Sequence, residues 1–347
     1  MIAPSASQGL EQACDLLRAH LDVPASKAKA ATTRTTSQYT VVEIGAHRFA
    51  FCWTASSAVG PVARAIEHLK SRNASNHAIA LVVTPFMGEA GAARCKAETV
   101  GWLDLSGNAS IHGPGLHVSV RGRPNRFRRP GRPANPFAPK SARVARWLLM
   151  HPHTPWRQRT LAEATGLSEG AVSKVVRAYE ADGLVARHLH DGVQVRDPQL
   201  LLQAWRERYR FDRHQIRKGS IASRSGVDLT RTASAALQDT RHAFTGLAAA
   251  WWWDTFAAFR TALLYVERWP ENAMHDLAFV EEPRGANIWF VLPDDSGVFH
   301  GATTRNGVAV VHPVQAYLDL GAQAERAPEA AEHLRDAVLA RQWSDRA

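Results

Sequence analysis

The chain contains 347 residues, a length that suits two or three domains, and 45% of its residues are hydrophobic, as in a globular protein. Its formal net charge is +10. Its three cysteines, Cys14, Cys52 and Cys95, are far apart, which excludes a disulfide framework and a zinc knuckle. No uncharged apolar run reaches about 18 residues and the amino terminus lacks a signal-peptide pattern, so we expect neither export nor a membrane span.

The first predicted element is an amphipathic helix over residues 5–22, with Leu10, Cys14, Leu17 and Leu21 on one stripe. We expect this helix to dock on the following domain, with a second subunit as the alternative. Residues 25–38 are rich in Ala, Thr and Ser and predict a linker. Residues 1–37 are therefore assigned to an N-terminal helix and linker.

Strand-like and helical segments alternate over residues 38–122. The strand-like segments are residues 40–45, 47–53, 78–86, 101–111 and 116–120, and the helical ones are residues 59–72 and 87–100. This alternation predicts a small sheet with helices packed on it. The order ALVVTPF, helix, GWLDLSG resembles the later half of Mrr-like domains of the restriction-endonuclease fold.

Nucleases of that fold need an acidic residue on one strand and Glu/Gln-x-Lys on the next, because carboxylates hold Mg²⁺ while the lysine helps to activate water. Glu43 fits the first position. The second pair falls on Phe51 and Trp53, or on Ala50 and Cys52 if the register shifts by one. We therefore predict a catalytically degenerate nuclease-like domain with no metal, no cofactor and no catalytic residues.

Two polar residues near the end of this domain, Asp104 and Asn108, are predicted to be structural. Asn108 follows Gly107 and is typical of a turn.

The positive charge is concentrated in an Arg- and Pro-rich linker, residues 123–140, and its flanks. Nine basic residues and no acidic ones lie from Arg121 to Arg146, and removing them from the 42 basic residues leaves 33 against 32 acidic residues. Arg-Gly-Arg-Pro at 121–124 and Gly-Arg-Pro at 131–133 resemble AT-hooks, which insert arginines into the minor groove; a solvated tether that contacts phosphates is the alternative. The arginines expected to bind DNA are Arg121, Arg123, Arg126, Arg128, Arg129 and Arg132.

Residues 141–198 contain the most specific pattern in the chain. A first helix over 141–150 is followed by a capping box formed by Thr160 and Glu163, a helix-ending Gly166, and Ser168 as the N-cap of the next helix. The apolar residues of that helix are Val172, Val175, Val176 and Tyr179. Two strands, residues 184–189 and 193–195, are joined through Asp191-Gly192, which favours a type I′ hairpin.

This order of helix, turn, helix and hairpin resembles the winged helix-turn-helix of bacterial regulators; use as a protein–protein module is the alternative. The hairpin corresponds to the wing of that family. The side chains expected to face the major groove are Glu169, Ser173, Lys174 and Arg177. Thr160, Ser168 and the Gly170 amide are expected to hold phosphates, and the wing is expected to use Arg187, His188 or His190.

The C-terminal segment, residues 199–347, predicts a mixed α/β domain. A helix follows Pro198, residues 241–254 predict a buried helix, and Trp251, Trp252 and Trp253 cannot share one helix face, so at least one should pack on another domain or subunit. The predicted strands are residues 262–269, 275–282, 287–293, 297–301 and 307–312. From Thr232 onward there are 9 basic and 15 acidic residues, so this end does not suit polyanions.

The ending PVQAYLDL at 313–320, with a helix containing Glu329 to Leu334, resembles the C-terminal domain of AbiEi-family antitoxins of type IV toxin-antitoxin systems, from about Arg241 to Gln342. The resemblance implies a winged helix that represses its operon and a C-terminal domain that opposes a nucleotidyltransferase toxin. The nuclease-like domain ahead of the winged helix departs from that pattern. Asp319 and Glu332 are predicted to be a cap and a helix-surface residue.

The sequence therefore predicts an α+β multidomain protein with a small α/β restriction-endonuclease-like domain, a central winged helix-turn-helix and a C-terminal mixed α/β domain. We expect a cytoplasmic, nucleoid-associated homodimer that binds double-stranded DNA and represses transcription. The alternatives are an antitoxin with a toxin partner protein and, third, a metal-dependent nuclease.

Overall fold

The computed structural model of the chain describes residues 4–22, 31–35, 39–56, 58–70, 78–127, 135–188, 192–282, 284–324 and 326–344. The chain divides into two units, Met1–Ala134 with Glu180–Leu184, and Asn135–Tyr179 with Val185–Ala347. Each unit contains a seven-stranded sheet, and the second also contains a two-stranded hairpin. Both mix helices with sheets, which confirms the predicted α+β class.

The first unit contains one sheet whose strands follow chain order. Its elements are α1 (Ala6–His20), β1 (Ala31–Thr35), β2 (Thr40–Ile44), β3 (His47–Trp53), α2 (Val59–Lys70), β4 (Ile79–Thr84), α3 (Glu89–Ala97), β5 (Gly101–Asp104), β6 (Ala109–Gly113) and β7 (Leu116–Val120). The three central strands β3, β4 and β5 are parallel, and antiparallel strands flank them on both sides. The strands and helices predicted between residues 38 and 122 are found, except that the strand predicted over residues 101–111 is divided by a turn into β5 and β6, and the last two residues of the helix predicted over 59–72 lie outside the described residues. Residues 31–35, predicted to lie in a linker, instead pair with β2 as strand β1.

Helices cover both faces of this sheet. Neighbouring residues on a strand point to opposite faces, so Phe51 packs in the cluster that contains Cys14 and Leu17 of α1, while Cys52 packs in the cluster of α2 and α3. Helix α1 begins with a capping box in which Ser5 and Gln8 bond each other's backbone N–H groups. Its buried face confirms that α1 docks on the adjacent domain.

The second unit begins with three helices and a hairpin and continues into a second mixed sheet. Its helices are α4 (Ala142–Met150), α5 (Gln158–Thr165), α6 (Glu169–Ala181), α7 (Pro198–Arg206), α8 (Gly226–Ala236), α9 (Gly246–Trp253), α10 (Glu271–Asp276), α11 (Pro313–Leu320), α12 (Ala327–His333) and α13 (Ala340–Ser344). Its strands are β8 (Val185–His188), β9 (Gly192–Val195), β10 (Gln215–Ser220), β11 (His242–Thr245), β12 (Ala262–Val266), β13 (Val280–Glu281), β14 (Ile288–Leu292), β15 (Thr303–Arg305) and β16 (Val308–Val310). The large sheet has the order β13-β10-β14-β12-β11-β16-β15.

Three predictions in the C-terminal domain are wrong in detail. Residues 241–254 form strand β11 and then α9, with Gly246 in the left-handed region between them (φ 58°). Residues 275–282, predicted as a strand, contain the end of α10 and only the two-residue β13. Residues 297–301, also predicted as a strand, lie mostly in a 3₁₀ helix, Ser296–Phe299. These segments are too short for apolar periodicity to separate helix from strand.

The three consecutive tryptophans of α9 all have partners in the C-terminal segment of the chain, and the packing of one of them on another domain or subunit stays a prediction. Trp252 donates its indole N–H to Thr230 Oγ1 at 3.2 Å, and Trp253 donates to the Val311 carbonyl at 2.9 Å. Trp251 packs edge-on against Trp252 at 4.8 Å between ring centroids. Trp252 thus contacts α8, and Trp253 contacts the residue that follows strand β16 of the sheet.

Candidate nucleic-acid-binding surface and an interdomain polar network

The helix pair around Gly166 folds as its local signals predict, except at its start. Helix α5 begins at Gln158 without a side-chain cap, so the predicted capping box of Thr160 and Glu163 is wrong, and Glu163 instead pairs with Arg159 at 3.2 Å. Gly166 adopts a left-handed conformation (φ 64°) and ends α5, as predicted.

Helix α6 has one buried face and one exposed face. The Ser168 hydroxyl accepts from the Ala171 N–H at 3.3 Å, which confirms it as the N-cap. The four apolar residues predicted to face the core, Val172, Val175, Val176 and Tyr179, are buried. Burying this face fixes which side chains remain on the solvent side.

The solvent side of α5 and α6 carries the predicted DNA-contacting residues. Thr160, Ser168, Glu169, Gly170, Lys174 and Arg177 are exposed, and Ser173 is partly buried. Arg177 Nε donates to the Ser173 carbonyl at 3.3 Å. A Cβ added at Gly170 would meet nothing within 4 Å, so the first turn of α6 is open to a ligand.

The hairpin β8–β9 packs beside the helices through a short bridge. Val193 and Trp156 exchange backbone hydrogen bonds of 2.8 and 2.9 Å, and Gly192 has φ 95° next to the Trp156 carbonyl. The register pairs His188 with Gly192, so Gly192, predicted to lie in the Asp191-Gly192 turn, is instead the first residue of strand β9. Residues 189–191, including His190, and the His188 side chain lie outside the described residues.

Arg187 is exposed on β8 and directed toward α5. When the side-chain amide of Gln158 is oriented so that both its oxygen and its nitrogen have suitable partners, the amide oxygen accepts hydrogen bonds from Nη1 and Nη2 of Arg187, each at 3.0 Å.

The predicted linker arginines are described only in part. Arg121, Arg123 and Arg126 are exposed, whereas Arg128, Arg129 and Arg132 lie outside the described residues. The Asn108 side chain accepts from the Arg123 N–H at 2.8 Å and donates to the Arg123 carbonyl at 3.0 Å. Asn108 is held in turn by Asp104, which accepts from its backbone and side-chain nitrogens. The structural roles predicted for Asp104 and Asn108 are confirmed.

Two arginines counted in the basic segment are engaged inside the second unit. Arg143 of α4 donates through Nε and Nη2 to the Asp295 carboxylate at 2.7 and 2.8 Å. Although burial raises the pKa of Asp295, hydrogen bonds from Arg143 and the Gly297 N–H hold it below its ordinary value. Arg146 is only 4% exposed. Neither arginine is presented to a polyanion, so the basic segment is shorter than the sequence indicates.

Asp319 lies at the centre of a buried network, so its prediction as a cap is wrong. It is 0% exposed and accepts from Thr245 Oγ1 at 2.6 Å, Tyr265 Oη at 2.9 Å, Gln315 Nε2 at 2.8 Å, and Tyr209 Oη. These donors satisfy a buried carboxylate that would otherwise be costly. Glu332 is exposed on α12, as predicted.

Gln315 connects this carboxylate to helix α4. Its amide oxygen accepts from Arg146 Nη1 at 2.7 Å and its amide nitrogen donates to Asp319, so a neutral group bridges a buried cation and a buried anion. His214 Nδ1 accepts from the Asp294 N–H at 3.1 Å, which places the ring proton on Nε2, 3.2 Å from Tyr265 Oη. Burial lowers the pKa of His214, consistent with a neutral ring.

Sequence reasoning missed this network. One signal was available, because Gln315 and Asp319 are four residues apart in the otherwise apolar helix α11.

The positions at which the predicted nuclease resemblance would require metal ligands carry two packing residues and one exposed carboxylate. Phe51 and Trp53 of β3 pack in the apolar cluster with α1, and Glu43 is exposed, 3.5 Å from Arg48. Within the described ranges, no group of three or more His, Cys, Asp or Glu side chains is placed to hold a metal ion.

The comparisons with known proteins concern the C-terminal half. Residues 194–340 match the model of a family described as transcriptional regulator, AbiEi antitoxin, of type IV toxin-antitoxin systems. The match begins in β9 and extends through the C-terminal domain, which supports the AbiEi resemblance there and leaves α5, α6 and the first unit outside it. No curated protein and no solved structure matches the chain. None of the helices in the described ranges is long and apolar enough to cross a membrane.

Proposed function

We propose that this chain is a sequence-specific double-stranded DNA-binding transcriptional regulator that represses its own operon as a homodimer. The observation that carries the proposal is the exposed polar face of α6, held by a buried valine face, a Gly166 turn and the β8–β9 hairpin. The regulator description of the family matched at residues 194–340 supports it. That family is one of regulators, and we propose no enzymatic activity.

In this proposal α6 enters the major groove. Ser173, Lys174 and Arg177 read base edges, with Glu169 at the helix start, because arginine and lysine suit the acceptors of guanine. Thr160, Ser168 and the Gly170 amide contact phosphates, and the open first turn of α6 favours such contacts since unpaired N–H groups attract anions. The wing places Arg187, His188 or His190 near the adjacent backbone.

The decisive variant is Arg177→Ala. We expect operator affinity to fall by about 1–3 kcal/mol, roughly 5- to 150-fold, with specificity relaxed at one base pair. Purified protein is first used to capture genomic fragments, and the enriched motif then serves in electrophoretic shift assays. Arg260→Ala, an exposed arginine of the C-terminal domain, is the matched control and should bind as wild type. Unchanged operator affinity in Arg177→Ala would show that α6 is not the reading helix.

A second candidate function is supported by the family match alone. In that case the C-terminal domain acts as an antitoxin of a type IV system, and the AbiEi resemblance of the sequence implies that its target is a nucleotidyltransferase toxin. Co-expression with the product of an adjacent toxin-like gene tests it, using the full chain and the chain with Arg177→Ala. Rescue of growth by both proteins would favour protein contact over repression, and failure of both would rule out the antitoxin role.

A further inference from the structure

A small cavity lies where α4 of the winged domain meets the C-terminal domain. Its volume is about 40 Å³, and the residues that line it include Ala142 and Arg146 of α4 together with Tyr209, Arg213 and Gln315. This is room for a few waters or one small polyatomic ion, and is far below the roughly 300 Å³ at which cofactor-sized pockets begin.

Arg146 lines this cavity with a buried guanidinium that has a nitrogen without a hydrogen-bond partner in the described residues. It is only 4% exposed, and the hydrogen bond found for it within the described residues joins Nη1 to Gln315 Oε1 at 2.7 Å. Its Nε has no hydrogen-bond partner there. The Trp205 ring packs against the guanidinium, with its centroid 5.0 Å from the Arg146 Cζ atom. A buried guanidinium with an unused donor is costly unless an acceptor joins it.

The cavity lining has more positive than negative charge. Four arginines and two aspartates line it. Of the two carboxylates, Asp295 already accepts two hydrogen bonds from Arg143, and Asp294 is exposed at the rim. Arg213, which also lines the cavity, is exposed. The lining therefore combines a buried cation, Arg146, with an exposed one, Arg213.

We propose that this cavity binds one tetrahedral oxyanion, a phosphate group, with Arg146 as the buried anchor and Arg213 at the entrance. A guanidinium offers parallel N–H donors to two oxygens of such an ion, and the donors of a second lining arginine, Arg213, suit a tetrahedral ion better than a planar carboxylate. The bound ion joins α4 to the C-terminal domain. The site stands independently of DNA binding.

Calorimetric titration of the full chain with sodium phosphate tests the proposal, with sodium chloride at matched ionic strength as the reference. We expect saturable 1:1 binding and a Tm that rises with phosphate saturation. Ribose 5-phosphate forms a second arm. Tighter binding of the ester identifies a phosphate carried on a larger molecule as the occupant, and tighter binding of the free ion identifies inorganic phosphate. Equal Tm shifts with phosphate and chloride, without saturable heat, would overturn the site.

Three variants locate the binding. Arg146→Met keeps an unbranched apolar chain against Trp205 and should weaken phosphate binding by tenfold or more. Because that variant changes the core, Arg213→Gln provides a surface test and should weaken binding several-fold with the phosphate-free Tm unchanged. Arg260→Gln is the matched control and should bind as wild type. Wild-type phosphate affinity in both Arg146→Met and Arg213→Gln would contradict this location.

Discussion

At the first turn of α11, His312 accepts a hydrogen bond from the Val314 N–H through Nδ1, at 3.3 Å. Burial, with smaller contributions from Arg146 and His151, lowers the pKa of His312 from 6.5 to about 3. Only the neutral ring can accept this bond. Since the folded pKa lies below the unfolded one, the contribution of His312 to stability is present above pH 6.5 and is lost as the pH falls toward 3.

Replacing His312 by Asn should make the protein less sensitive to acid. Asparagine keeps an acceptor for the Val314 N–H but does not titrate. Between about pH 6 and pH 4 the free energy of unfolding of wild type should fall by about 1.4 kcal/mol per pH unit more steeply than that of His312→Asn. Urea unfolding at each pH measures this difference. His275→Asn is the control, because His275 is 90% exposed, and its profile should match wild type. Parallel profiles for wild type and His312→Asn would contradict the prediction.

Single polar residues of the core were the least predictable from the sequence. Asp319 looked like a cap because its donors Tyr209, Tyr265 and Thr245 lie 110, 54 and 74 residues away along the chain. Arg146 looked like part of a basic segment because charge counting does not distinguish an exposed arginine from a buried one. Such contacts depend on tertiary packing, which local patterns do not encode.

At the scale of elements, the prediction worked where the determinants are local. The valine spacing of α6, the left-handed Gly166 and the Ser168 cap act within one or two helical turns, and each is confirmed. The start of α5 was placed three residues late, because Thr160 was taken as the N-cap, a position that Arg157 occupies. Strand β1 was missed because its partner β2, rather than its own Ala- and Thr-rich sequence, makes it a strand. The reading residues of α6 and the nuclease-like ancestry remain predictions.

The β8–β9 hairpin requires a glycine at the point where it lies against the Trp156 backbone. Gly192 has φ 95°, and a Cβ there would lie 2.3 Å from the Trp156 carbonyl oxygen. Gly192→Ala should therefore lower the free energy of unfolding by about 1–3 kcal/mol, measured by urea denaturation. Gly170→Ala, where a Cβ meets open space within a helix, should leave stability unchanged or raise it by up to about 1 kcal/mol. Equal effects of the two substitutions would refute the close approach.

At the scale of the whole molecule, positive charge and the proposed reading helix lie in different segments. Between residues 160 and 198 the basic residues Lys174, Arg177, Arg187 and Arg196 are offset by six acidic ones. We therefore expect the linker arginines to supply much of the affinity without choosing the sequence.

Changing Arg128, Arg129 and Arg132 together to Gln should weaken operator and unrelated DNA alike. Removing one arginine–phosphate pair reduces the slope of log K against log salt by about 0.9, so the slope should flatten by up to about 3. Fluorescence anisotropy at several salt concentrations measures it. The same change at three exposed arginines of the C-terminal domain, Arg260, Arg284 and Arg341, should leave the slope unaltered. If the slope of log K against log salt in the linker variant stays at its wild-type value, the linker arginines do not supply the affinity for DNA phosphates.

The contacts that α4 makes with residues far along the chain form late in synthesis. The helices and hairpin proposed to read DNA are complete once residue 195 has been added. Their support comes later: Asp295 for Arg143, Gln315 for Arg146, and Trp343, whose indole N–H donates to the Leu149 carbonyl at 3.0 Å. A nascent chain on the ribosome thus carries the proposed reading helix before the residues that brace α4. These contacts of α4 are complete only after translation has passed Trp343.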